Sequence, residues 1–305
     1  MEHEDMSMKK YAGRLLAATI IAGSSLGAQA GESLLNYVTG TDTQPEGSWE
    51  FIQWVTQRSD KGAGSYTARD YRTEVEYGFS DRFSAALYIN GQSIDTSGLR
   101  VDAYIPQDVS YGYKYSGISA AFKYNILSPY KDGLGLSLYF EPSLGTRDPH
   151  SGLNKKTVSF ETKLLLQKNF LDDTLNWMTN IGLEATYAKR DPVSNLPPGY
   201  DWPVVPEMEI EPSFATGVSY RFAPRWYVGA EAQYQIEYET EVGVERWSWF
   251  AGPTIHYGTK DWWATLTWFK QIKGGGEAFP EQDDPELHLV EKTKNEIRLK
   301  VGIDF

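Results

Sequence analysis

The stretch NEIRLKVGIDF, residues 295–305, decides how the rest of the chain is read. Asn295, Ile297, Leu299, Val301, Ile303 and Phe305 make one file, and Glu296, Arg298, Lys300, Gly302 and Asp304 make the other. Alternation of apolar and charged side chains with period two belongs to a β-strand whose faces meet different surroundings. The pattern recurs upstream. In 70–79, Tyr71, Thr73, Val75, Tyr77 and Phe79 share one face, with Asp70, Arg72, Glu74 and Glu76 on the other. About twelve such segments follow one another: 49–57, 70–79, 83–90, 111–126, 134–144, 156–167, 175–189, 207–222, 226–239, 246–257, 262–272 and 293–305. Most exceed the roughly five or six residues of soluble strands and match the ~9–11 that cross a bilayer at a tilt.

The connections sort into two kinds. Those at 80–82, 128–133, 169–174, 223–225 and 258–261 are short, whereas 58–69, 91–110, 190–206 and 273–292 are long; 240–245 is short on the long side. This is the pattern of a barrel with periplasmic turns and extracellular loops. An even strand number closes without edges. The expected fold is all-β: a transmembrane antiparallel up-and-down β-barrel of about twelve strands, both termini periplasmic. A soluble β-sandwich would use the aromatic residues as core but leaves the loop pattern unexplained. A last strand ending on Phe305 resembles that of bacterial outer-membrane β-barrels, and the resemblance implies recognition by the barrel-assembly machinery.

The N-terminal residues point to the same compartment. Lys9, Lys10 and Arg14 precede an apolar run over 15–26, and Ala28-Gln29-Ala30 follows. This reads as a secretory signal peptide over 1–30, cleaved after Ala30, with Met8 a candidate start. The division is then signal peptide 1–30, a short segment 31–47 in the lumen or periplasm, and barrel 48–305, in the outer membrane. A negative mean hydropathy fits a barrel, because only alternate residues meet lipid. The net charge of -12 argues against nucleic acid as a partner. Cysteine is absent, which removes disulfides and thiolate metal sites. The 20 Tyr and 10 Trp suit interfacial girdles. Expected partners are outer-membrane lipid and lipopolysaccharide.

At a strand spacing of ~4.8 Å and a tilt of ~40°, twelve strands leave about 12 Å inside their side chains, enough for a narrow channel or for closure. The inward files carry Arg72, Glu74, Glu76, Glu184, Glu231, Arg298 and Lys300, whose mixed signs read as a salt-bridged lumen. A second cluster is mostly acidic. Glu207, Glu209 and Glu211 share the inward face at the long-loop end of 207–222. Pairing Phe222 with Trp226 sets Glu211 opposite Glu237 and Glu209 opposite Glu239. Carboxylates ~7 Å apart repel by roughly 2.4 kcal/mol at an effective dielectric of ~20. Arg246 reaches this group, but one guanidinium does not balance five carboxylates. An acidic vestibule that gathers cations or basic solutes follows, with Ca²⁺ as a candidate ion and a solvated mouth as the bland alternative.

Elsewhere the signals are weaker. Loop 190–206 is proline-rich with an exposed Trp202, and 277–291 reads as a solvated acidic loop without EF-hand spacing. Beyond the leader the histidines are His150, His256 and His288; His256, with Thr254 on its face, reads as a structural hydrogen-bonder. The outer-membrane phospholipases' HxS-type pair is missing, so a lipid- or envelope-modifying enzyme is the least favoured class. The stretches GSWEFIQWVTQ (47–57) and RTEVEYGFSDRFSAALYIN (72–90) resemble a family of uncharacterised Gram-negative outer-membrane barrel proteins. That resemblance implies location and fold, and carries no substrate or catalytic residue. Within it, Gly78 reads as a turn glycine. The reading that emerges is a narrow channel or transporter for small neutral-to-cationic solutes, with a closed structural or surface-interaction barrel as the alternative.

Overall fold

A computed structural model describes residues 33–239 and 243–305. The expected signal peptide over 1–30 with its cleavage site, residues 31 and 32, and residues 240–242 lie outside the described residues. Within them run twelve strands: β1 (Trp49–Ser59), β2 (Ser65–Ser80), β3 (Phe83–Ser97), β4 (Ser110–Leu127), β5 (Gly135–Arg147), β6 (Asn154–Phe170), β7 (Leu175–Arg190), β8 (Glu207–Ala223), β9 (Trp226–Glu239), β10 (Gly243–Gly258), β11 (Trp262–Gly276) and β12 (Asn295–Asp304). Each pairs antiparallel with its sequence neighbour, and β1 closes on β12 from Glu50↔Asp304 to Ser59↔Asn295. The file that opened the reading, Ile297, Leu299 and Ile303, lies on the outside.

The outer wall explains the closure. Leu87, Phe122, Leu138, Phe160, Ile181, Val218, Val228 and Leu266 are all exposed, a continuous apolar band stable only in hydrocarbon. Aromatic pairs border it. Trp49–Tyr77 and Trp226–Tyr257, at 4.5 and 4.7 Å, mark the short-turn end, and Tyr71–Tyr113 and Tyr234–Trp249, at 5.5 and 4.9 Å, the long-loop end. These are the girdles of a membrane-spanning barrel. The β4–β5 ladder skips Ala120 and Ala121 opposite Pro142 and Glu141, where Pro142 has no N–H to donate.

Three loop expectations are corrected. The connection after β1 is only 60–64, because β1 and β2 keep pairing to Ser59↔Thr67. Loop 277–294 is not solvated: Phe279, Leu287, Leu289 and Val290 pack with Leu99, Val101 and Ile105 of 98–109 and with Tyr66 and Ile94 at the tips of β2 and β3. Trp202 is buried, its Nε1 donating to the Asp191 carbonyl at 2.9 Å. Apolar residues spaced irregularly in an acidic string, at 279, 287, 289 and 290, produce no strand signal, yet together they cap one mouth.

Residues 33–47 thread the lumen at the opposite, short-turn end. Leu34, Leu35 and Val38 pack on Met178, Ala215 and Tyr227. Gly78 is a strand residue and not a turn glycine; a Cβ there would collide with the Pro45 carbonyl.

Candidate functional site

The lumen is built in three tiers. In the short-turn tier, Glu231 of β9 receives the backbone N–H groups of Asn36, Tyr37 and Val38 at 2.9, 2.5 and 3.0 Å, and the hydroxyls of Thr254 and Thr267 at 2.7 and 2.8 Å. Five donors on one buried carboxylate make a strong anchor. Further along, Thr39 exchanges bonds with Asn180 at 2.7 and 2.8 Å, and Thr41 donates to Gln167 at 3.0 Å. Asn125 and Ser137 donate to the Thr41 carbonyl at 2.9 and 2.6 Å. Gln44 and Trp263 both donate to Glu50. His256 sits beneath this tier, buried, its Nδ1 2.7 Å from Thr265 Oγ1.

The middle tier holds a cavity of about 430 Å³ lined by Trp54, Arg72, Glu141, Glu161, Arg298 and Lys300 among others. Its cations stack on rings: Lys300 lies 3.7 Å above Trp54, Arg72 3.6 Å above Tyr88 and Arg298 3.9 Å above Tyr37. Arg72 is also paired with Glu141. Glu74 accepts from Trp54 Nε1 and Tyr88 at 2.9 and 2.8 Å, and Glu76 from Ser84 at 2.5 Å. Among the residues of this tier, hydrogen bonds and cation–ring contacts outnumber ion pairs. Opposite the basic wall of β2 and β12 runs a carboxylate row in direct register: Glu141↔Glu161, Glu161↔Glu184 and Glu184↔Glu211. The sequence reading placed Glu184 and Glu211 inward but missed this row.

The long-loop tier contains the acidic cluster and a second cavity of about 440 Å³. It shares Arg58, Asp70, Gln235, Lys292 and Glu296 with the first, so the two are continuous. Glu209 does face Glu239, and Ile210 faces Tyr238. The charge balance needs correction, however, because cations arrive from neighbouring strands and a loop. Glu207 pairs with Arg190 of β7, and Glu209 with Lys155 of β6 at 3.1 Å. Arg246 pairs with Glu211 at 2.9 Å and with Glu237 and Glu291, and Lys292 lies 3.9 Å from Glu211. Glu291, not a sequence candidate, ties loop 277–294 to the barrel. Burial alone would raise its carboxyl, but Arg246 and the two nearby histidines outweigh that and hold it well below the usual range. Carboxylate oxygens of Glu237, Glu245 and Glu291 gather within 4.8 Å of one another. Two of these three are already held by Arg246, and Glu245 accepts from Tyr104.

Apolar outer wall, aromatic girdles and charged lumen define an outer-membrane type β-barrel. The chain belongs to a family of unknown function, DUF6662, which it matches over residues 27–305. A search among curated proteins finds no match. Among solved structures it is similar to the COG4313 outer membrane channel from Pseudomonas putida F1, with 11% identity, a TM-score of 0.59, and coverage of 87% of this chain and 98% of the other. It also aligns with the NanC porin (10% identity, TM-score 0.46, 83% and 98% covered) and the β domain of the Bordetella autotransporter BrkA (13%, 0.47, 85% and 99%). These likenesses are of fold.

Proposed function

We propose that the chain is an outer-membrane channel for small neutral-to-cationic solutes, entered through an acidic mouth at the long-loop end and closed at rest by residues 33–47. The observation that carries this reading is the pair of continuous polar cavities, about 430 and 440 Å³, held inside a closed barrel and lined by charges of both signs. A barrel serving only as a wall has no need of wetted space at this depth. In the outer cavity the seven acids Asp70, Glu184, Glu209, Glu211, Glu237, Glu291 and Glu296 outnumber the five cations Arg58, Arg147, Lys155, Arg246 and Lys292, which raises the local concentration of positive solutes. The test is a bilayer recording under a salt gradient. In the open variant lacking residues 33–46, replacing Glu209, Glu211, Glu237 and Glu239 by Gln should move the reversal potential toward anions, and an unchanged potential would remove the cation preference.

One observation favours the alternative of a closed structural or surface-interaction barrel: the N-terminal segment and the loop cap occupy both ends of the lumen. Absence of conductance even after residues 33–46 are deleted would select it.

A further inference from the structure

The outer wall carries a feature that the lumen does not explain. Strands β6 and β7 each end in two adjacent cations, Lys155-Lys156 and Lys189-Arg190. The inner member of each pair is neutralised, Lys155 by Glu209 and Arg190 by Glu207. Lys156 and Lys189 point outward, are exposed, and face each other directly across the ladder. No carboxylate among the described residues pairs with either. Like charges directly opposite destabilise a sheet, so this pair calls for an anion from outside the chain. They lie one outward step beyond the exposed Val158 and Tyr187, where the apolar band gives way to headgroups. A chain of net charge -12 that sets bare cations there is matched to a negative lipid surface.

A second observation lies below the lysines. Phe122, Leu138, Phe140, Leu164, Ile181 and Leu183 line an outward apolar groove of about 540 Å³ across β4–β7. Phe122 and Phe140 of this lining continue into Phe160, the three rings stacked in a row at 6.4 and 6.3 Å. From Lys189 to Leu183 and Ile181 is six to eight residues, roughly 20–26 Å along the strand and about 15–20 Å along the membrane normal at a tilt of ~40°. One leaflet's hydrocarbon ends near that depth, since the whole core is about 30 Å.

We infer that the outward face of β5–β7 binds one phosphomonoester-bearing glycolipid, its phosphate held between Lys156 and Lys189 and an acyl chain seated in the groove beneath. Cross-strand Cβ atoms stand ~5 Å apart, so both ammonium groups reach one phosphate. A monoester carries about -1.5 to -2 at neutral pH and matches two lysines, whereas a phospholipid diester carries about -1.

The site is on the outer wall and is independent of the channel reading. Native mass spectrometry of the detergent-purified chain tests it against bisphosphorylated lipid A, its dephosphorylated form, its deacylated form and phosphatidylglycerol. Lipid A should bind best. Lys156→Gln should weaken it roughly 5-fold and the double variant with Lys189→Gln about 25-fold. Lys168→Gln, on the same outward file of β6 toward the short turns, should change nothing. Equal binding of dephosphorylated or deacylated lipid, or equal loss with Lys168→Gln, would overturn the site. Phosphatidylglycerol binding as tightly as lipid A would overturn the monoester assignment. Introduced into the open variant lacking residues 33–46, the two lysine substitutions should leave its conductance unchanged, which separates this site from the lumen.

Discussion

The two ends of the lumen are closed by different chemistry. At the short-turn end, a segment without secondary structure is held by neutral amides and hydroxyls and by Glu231, Glu50, Lys123 and Arg298, charged groups that bond its backbone and its neutral side chains without forming ion pairs with it. At the long-loop end, loops 98–109 and 277–294 pack through an apolar cluster and are pinned beneath by Arg246, Glu291 and Lys292. Hydrogen bonds between neutral groups are largely indifferent to salt and pH, and ion pairs are not. Opening the mouth and opening the floor therefore answer to different conditions, and a variant at one end should leave the other in place.

The largest expected effect comes from removing the floor. Deleting residues 33–46 takes away the side chains and backbone that bridge β9, β7, β6 and β4, and open-channel currents absent from the parent should appear. The same conductance before and after would show that ions already pass beside the segment. At the other end, Arg246→Met strands Glu211, Glu237 and Glu291 without their shared guanidinium, a cost of about 3–5 kcal/mol for a buried charge network. Proteolysis or hydrogen exchange should then find loop 277–294 open, with 33–47 still protected. Parallel loosening of both segments would mean that the ends are coupled after all.

How much of this was legible depends on periodicity. The strands were visible in the sequence because outward and inward files alternate, weakly in 49–57 and more clearly beyond it. The facing of Glu209 and Glu239 was reached from one tight turn, although that turn pairs Ala223 and not Phe222 with Trp226 and recovers the register through a bulge. The row from Glu141 to Glu211 was not visible, since it requires register carried across three successive ladders, β5–β6, β6–β7 and β7–β8, the last joined only by the long connection 191–206. The role of Glu231 was hidden for another reason. Its partners are backbone N–H groups of Asn36, Tyr37 and Val38, which leave no mark in side-chain pattern. Trp202 and the apolar residues of 277–294 were misplaced because proline and acidic neighbours suggest solvent, while burial was decided by packing between loops distant in sequence.

That anchor sharpens the contrast in a single substitution. Glu231→Gln keeps the shape but sets an amide NH₂ against N–H donors, so at least one bond is lost and the charge assistance with it. A cost of roughly 3 kcal/mol to the docked segment follows. Bilayer recordings should show openings to the level of the deletion variant, interrupted by closures, whereas the parent shows none. A conductance trace identical to the parent's would assign the anchoring to Thr39 and Thr41 instead.

The smallest effect is acid, and it should act on one end only. Burial among the loop residues lowers His288 to about 3, and His150 in 148–153 is likewise pushed well down by burial. A histidine released from the cap would titrate near 6.5, so between that value and about 3 the open loop takes a proton that the docked loop refuses. Docking is thus fully stabilised above pH ~6.5 and weakens as pH falls, by about 2 kcal/mol from His288 at pH 5. Glu291, held down by Arg246 against its own burial, acts in the same direction at lower pH. Hydrogen exchange in 277–294, corrected for intrinsic rates, should accelerate roughly 30-fold between pH 7.5 and 5, because opening becomes easier by that free energy. Segment 33–47 contains no histidine and should keep its protection over the same range. Replacing His150 and His288 together by Gln should flatten the pH response of the loop. A response that survives the double variant would place the acid sensitivity in the carboxylates of the mouth.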